Sequence, residues 1–393
     1  MAADVTRRAV IAGAGSAMAG AACMARPQPD TLAAAARRSG RTYGAAVELR
    51  ALREDFAFAE TVMRECDTLT PELSLKWDAI EPEPGRPDLT RMDALAAFAR
   101  RRGKPLYGHA LLWDQSTPGW AAFQMQRDRD WGLVHRHFAL VTGRYGEQVR
   151  LWDVVNEPVE PQHQADGLRE SAFLAAFGPD YIRRAFDSAR SLAPSAGLLL
   201  NEYGLEYDDA IDEARRSRLL RLIDELRRTG APLDGVGLQG HLDLRRGHVA
   251  QEKVAGLVEE LASRGLFVLV TELDVKEAEY VLPAERRDAE AAAAVKAYLD
   301  AVLASPAVRS VTTWGLADRY SWLKVTEDDR ARWPMAWRDG TDPGLNRGLP
   351  LDAALERKPM YVAIRDAFLA APPAGRAGGR NPTGSLSSDG SIN

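Results

Sequence analysis

Leu151-Trp152-Asp153-Val154-Val155-Asn156-Glu157-Pro158 is a short apolar run that stops on a carboxylate. Val154 and Val155 at its centre mark a buried strand. Pro158 has no backbone N–H and cannot continue a ladder, so the strand ends at Glu157. An ionisable side chain at the end of a buried strand is costly unless something uses it. Phe267-Val268-Leu269-Val270-Thr271-Glu272-Leu273-Asp274 is built the same way. The expectation is that Glu157 and Glu272 face each other across one cleft, with the rest of the chain as the scaffold that places them.

Outward from these two segments, β-type apolar runs alternate with helical patterns. The candidate strands are Thr42–Glu48, Cys66–Glu72, Pro105–Trp113, Val149–Glu157, Gly197–Tyr203, Gly235–Leu242, Phe267–Val275 and Val308–Asp318. Between them, Val254, Leu257, Val258 and Leu261 recur at helical spacing before Gly265, and Leu219, Leu222, Ile223 and Leu226 do so before Gly230. Asp93 to Arg102, Arg286 to Leu303 and Ala353 to Leu369 are further helical stretches. Eight strand–helix alternations imply a single α/β domain, a parallel (β/α)8 TIM barrel with its working residues at the C-terminal strand ends. A doubly wound open sheet is the alternative, but no glycine-rich phosphate loop follows the first strand.

A chain of 393 residues with 46% hydrophobic content can build such a barrel as one unit. Its net charge of -5, with no basic block, argues against nucleic acid as a partner. The first residues are read as a leader. Arg7-Arg8 precedes a weakly apolar run, Ile11 to Ala25, resembling a twin-arginine export signal over residues 1–26. That run is too short and too glycine-broken for a membrane span. A periplasmic or secreted protein is expected, with lipid attachment at Cys23 a minor alternative. Without the leader Cys66 is the only cysteine, so no intrachain disulfide forms. The catalytic domain is placed at 27–370, and the Gly-, Ser- and Pro-rich residues 371–393 are expected to be a disordered tail. The sequence is silent on oligomeric state, and a monomer is the expectation.

The strand ends carry the chemistry. They bear Glu72 and Lys76, His109 and Trp113, Asn156 and Glu157, Asn201 and Tyr203, Gln239 and His241, Glu272 and Asp274, then Trp314, Asp318 and Trp322. Each alone has a bland reading as a cap, a rim residue or a satisfied core group. Their recurrence at successive strand ends does not. Two carboxylates flanking a sugar bond are what glycoside hydrolysis needs, one protonated and one ionised. His241 and Gln239 are placed to hold Glu272, and Asn156 to bond a sugar hydroxyl. Trp113, Trp314 and Trp322 offer flat apolar faces for sugar rings.

With these residues in hand the chain resembles glycoside hydrolase family 10, the β-1,4-xylanase family of the retaining barrel clan. The resemblance runs from about Tyr43 to Phe368 and rests on several motifs in order. They are Pro71-Glu72 with Lys76-Trp77, Gly108-His109-Ala110-Leu111-Leu112-Trp113, Trp152-Asp153-Val154-Val155-Asn156-Glu157, Gly235-Val236-Gly237-Leu238-Gln239-Gly240-His241, Thr271-Glu272-Leu273-Asp274, and Trp314-Gly315 with Asp318 and Ser321-Trp322. It implies Glu157 as general acid/base and Glu272 as nucleophile, supported by His241 and Gln239, with Asp274 behind the histidine. Glu72, Lys76, His109, Trp113, Asn156, Tyr203, Trp314 and Trp322 would bind a xylan-type polysaccharide or oligosaccharide. Double displacement would retain configuration, with carboxyl groups about 5–5.5 Å apart. No cofactor or metal is implied.

The chain departs from the family pattern at Leu73, Asp114, Ser116 and Gly204, where Asn, His, Gln and Asn are usual. Leu73 cannot hydrogen-bond a hydroxyl, and one buried against it would cost about 1–3 kcal/mol. A shifted glycan preference is the expectation. Glu327 to Leu349, with Trp333 and Trp337, is a long loop that could roof the site. The rival readings are a non-catalytic glycan-binding barrel, a β-glucanase or other β-glycosidase of the clan, and a zinc hydrolase using His109, His241, Glu272 and Asp274. The last lacks the His-x-His pair such a site needs at its first strand.

Overall fold

The computed structural model describes residues 31–323 and 345–375. The expected leader with Cys23, the loop residues Trp333 and Trp337, and the tail beyond 375 lie outside the described residues. Eight strands run in chain order: β1 (Thr42–Val47), β2 (Thr68–Pro71), β3 (Leu106–Gly108, resuming at Leu112–Trp113), β4 (Val149–Asn156), β5 (Gly197–Glu202), β6 (Gly235–Leu238, resuming at His241–Asp243), β7 (Phe267–Lys276) and β8 (Val308–Thr313). Each pairs in parallel with the next, and β8 pairs with β1 through Thr42 opposite Ser310 and Ala45 opposite Thr313. The sheet is therefore closed, and the open-sheet alternative is set aside.

The helices between strands start and stop where side chains can satisfy their ends. Asp209 caps Ala210–Arg228, its carboxylate accepting the N–H groups of Ile211 and Asp212. Gln251–Ser263 ends as Leu266 N–H reaches back to the Leu261 carbonyl around Gly265, at φ +76°. The final helix is Pro359–Ala370, shorter than the pattern from Ala353 suggests. Proline at its first turn fixes φ without losing a needed donor. Past Ala371 the described residues stay against the barrel: Ala374 N–H bonds the Ser39 carbonyl and Gly375 N–H the Pro306 carbonyl.

Two apolar layers hold the barrel. The larger lies between strands and helices and includes Leu198, Leu200, Val268, Val270, Ile223 and Val258, all fully buried. A separate cluster of Tyr107, Leu199, Phe267 and Leu269, with Leu151 against it, alternates with the first along β5 and β7 and so fills the barrel interior. Burying each such side chain contributes about 1.5–3 kcal/mol. Cys66 is buried as a free thiol. Among the described residues no helix is long and apolar enough to cross a membrane.

Candidate active site

Glu272 lies on β7 and is 4% exposed. Its Oε1 accepts Asn201 Nδ2–H at 2.7 Å from β5, and its Oε2 lies 3.2 Å from His241 Nε2. His241 Nδ1 is in turn 2.7 Å from Asp274. On the other side, His109 Nδ1 is 3.7 Å from Glu272 and 2.9 Å from Asp153, whose second oxygen accepts the Tyr107 hydroxyl. The carboxylate thus sits between two imidazoles, each backed by an aspartate. Burial alone would push Glu272 up. His109, His241 and Lys76 outweigh it and hold the carboxyl below the ordinary range, so it is ionised. Burial would likewise lower His241, but Asp274 and Glu272 raise it well above the ordinary imidazole value. At neutral pH it therefore donates from both nitrogens. Gly237 makes room for this network, because a Cβ there would stand 2.1 Å from Asn201 Oδ1.

Glu157 closes β4 with its backbone in the left-handed region, φ +54°, which a non-glycine residue seldom adopts. Its Oε1 accepts from Asn156 Nδ2 at 3.3 Å and from Gln239 Nε2 at 3.2 Å. Its Oε2 lies 3.7 Å from Arg169. This corrects the expected role of Gln239: the amide reaches Glu157 and Asn156, while Asn201 takes the place beside Glu272. Asn201 also donates to Asn156 Oδ1 at 2.8 Å, so one set of amides joins both glutamates. Asn156 is held inside that network.

Lys76, from the turn after β2, is 8% exposed, with its ammonium 4.3 Å from the Trp113 ring centre and 5.8 Å from that of Trp314. Burial lowers its pKa, against the pull of Glu272, Glu72, Asp78 and Glu157. Trp314 packs on His109 at 5.0 Å. Trp322 is 50% exposed and donates its indole N–H to Asp274 at 2.6 Å. A half-exposed indole pinned by its polar edge is a ready platform for an apolar ring face. The Tyr203 hydroxyl accepts from Arg169 and donates to Glu160. Arg169 carries no sequence signal, since it lies in an irregular loop. Among the described residues no three His, Cys, Asp or Glu side chains converge as metal ligands would.

A closed parallel barrel with two buried glutamates at its strand ends, one held ionised between imidazoles, and with aromatic rings beside them, is the architecture of a glycoside hydrolase. The comparisons agree. The family model described as glycosyl hydrolase family 10 matches residues 31–367, and the chain belongs to that family. It is 30% identical to endo-1,4-beta-xylanase B of Thermotoga neapolitana, over 79% of this chain and 82% of that protein. It is 31% identical to endo-1,4-beta-xylanase A of Fusarium oxysporum, over 84% and 96%. Among solved structures, xylanase 10B from Thermotoga petrophila in complex with xylobiose superposes with a TM-score of 0.74 at 28% identity, covering 88% of this chain and 98% of that one.

Proposed function

We propose that this protein hydrolyses β-1,4-xylosidic bonds of xylan or xylooligosaccharides by double displacement with net retention. The observation that carries the reading is Glu272, ionised between His109 and His241 and joined to Glu157 through Asn201, Asn156 and Gln239. Its support is a family-10 chain whose similar proteins bear the name endo-1,4-beta-xylanase. Glu272 attacks the anomeric carbon while Glu157 gives its proton to the leaving oxygen. The covalent glycosyl-enzyme forms, Glu157 then takes a proton from water, and that water releases the sugar with its original configuration. Asn156 and the rings of Trp113, Trp314 and Trp322 bind the sugars, with Glu72, Lys76 and His109 on the same wall. Export through the paired arginines Arg7 and Arg8 belongs to this proposal, and fractionation of cells expressing the full chain tests it.

The test is product analysis over time with leaderless protein on β-1,4-xylan. Release of β-anomeric xylooligosaccharides is expected. Products first appearing as the α-anomer would overturn double displacement. Cleavage of a β-glucan with none of xylan would overturn the substrate.

A further inference from the structure

Glu157 is held by its backbone as firmly as by its carboxylate. Its N–H donates to the Asn201 carbonyl at 2.9 Å, and its carbonyl accepts Arg169 Nε–H at 2.8 Å. These two bonds bracket the left-handed residue and fix where its side chain leaves the strand. Arg169 is 8% exposed and returns to this point on a short antiparallel turn, Val159 opposite Leu168, which starts directly after Pro158. Its own N–H bonds the Pro158 carbonyl at 2.8 Å.

Arg169 is in turn held from a distant helix. It donates to the Tyr203 hydroxyl at 2.7 Å, and that hydroxyl donates to Glu160 at 3.1 Å. Arg215, buried on the helix Ala210–Arg228, grips both Glu160 oxygens at 3.1 and 3.0 Å and lies 4.4 Å from the Tyr203 ring centre. Arg215 passes so close to residue 204 that a Cβ there would stand 3.0 Å from its Nε, and Gly204 is at φ +64°. The missing side chain at Gly204 makes way for this brace.

We propose that Arg169 is the positioning residue of Glu157: with Tyr203, Glu160 and Arg215 behind it, it fixes the backbone and aims the carboxyl at the leaving oxygen. The inference rests on the reading of Glu157 as acid/base. A carboxyl aimed by Arg169 matters only where the leaving group needs a proton, which gives the role a signature that loss of fold lacks.

The experiment compares kcat/KM, which reports the bond-breaking step, on xylotetraose and on 2,4-dinitrophenyl β-xylobioside, whose phenolate leaves without a proton. Arg169→Met should lose about 10- to 100-fold on xylotetraose, part of the about 10²–10⁴ that general acid catalysis supplies, and less than about threefold on the activated substrate. Arg169→Lys, which keeps a cationic donor, should recover part of that loss. If Arg169→Met does not fold, as thermal melting would show, Tyr203→Phe removes one oxygen of the brace and should show the same split more weakly. Equal losses on both substrates in the folded variant would overturn the inference. Glu157→Ala serves as the reference. If it too lacks the split, or if wild type turns over neither substrate, the functional reading itself fails, and the inference falls with it.

Discussion

Replacing His241 by glutamine tests the electrostatic design of the site most directly. Glu272 is fully desolvated, which by itself favours the neutral acid. The chain reverses this with His109, His241 and Lys76, and His241 contributes twice, through its hydrogen bond at 3.2 Å and through its charge. An opposite charge at such range lowers a carboxyl by about 1–3 units, or about 1.4–4 kcal/mol of preference for the ionised form. In His241→Gln the charge goes, but an amide N–H can still reach Oε2, and His109, Asn201 and Lys76 remain. The lower end applies, so Glu272 should rise part of the way back toward the ordinary carboxylate range.

The sign follows from the role. A nucleophile must be ionised, so raising its pKa removes active enzyme from the acid side. The acid limb of kcat/KM, which reports the free enzyme, should move up while the alkaline limb stays. The assay is hydrolysis of a short xylooligosaccharide across the pH range, with thermal melting as a check on folding. A variant that loses rate but keeps its acid limb would refute the reasoning, because His241 would then only shape the pocket.

Glu272→Gln should abolish nearly all turnover while the fold survives. Near wild-type release of xylooligosaccharides would remove the nucleophile assignment. Leu73→Asn places an amide where a 48% exposed leucine follows Glu72, and kcat/KM on plain xylotetraose should rise; no gain would mean that position 73 does not meet the sugar. Arg287→Met breaks an ion pair with Glu277 whose side chains are 4% and 2% exposed, and takes the guanidinium away from that buried carboxylate. Denaturant unfolding should show about 3–5 kcal/mol lost. A change near zero would mean that Glu277 finds other partners, such as the Arg347 backbone N–H it already accepts.

The barrel was legible because each strand is an apolar run bounded by polar residues, and because a parallel sheet closed by eight such runs has few alternatives. The breaks in β3 and β6 were not legible. Leu111 and Leu112 continue the apolar pattern past the break after Gly108, as Leu242 does past Leu238, and a period of two cannot register a lapse in pairing. Both glutamates and His241 could be read because charge at the end of a buried run is anomalous. The partners of Gln239 and Asn201 could not, because each amide has two neighbours across the barrel mouth and only register decides between them. Gly237 lets Asn201 enter between Thr271, Asn156 and Glu272, and Gln239 meets Glu157. Arg169 lay beyond reach for another reason: its hydrogen bonds go to a backbone carbonyl and a phenol, and neither leaves a periodic trace.

Read as a sequence, Leu73, Asp114, Ser116 and Gly204 together suggest a remodelled sugar site. In the structure, two of them have work inside the protein and a third is buried. Asp114 accepts the Ala172 N–H at 3.0 Å, helping Ser171 satisfy the first turn of the helix Ala172–Phe177. Ser116 is buried at 6% exposure in the turn that follows β3. Gly204 leaves the space that Arg215 fills on its way to Glu160. Leu73 alone turns an apolar side chain to solvent, with its N–H donated to Glu48 at 2.9 Å. Leu73 is thus the departure that presents an apolar surface on the β2 side of the site. Of the other three, Asp114 serves a helix cap and Gly204 the brace behind Arg169, while Ser116 is buried.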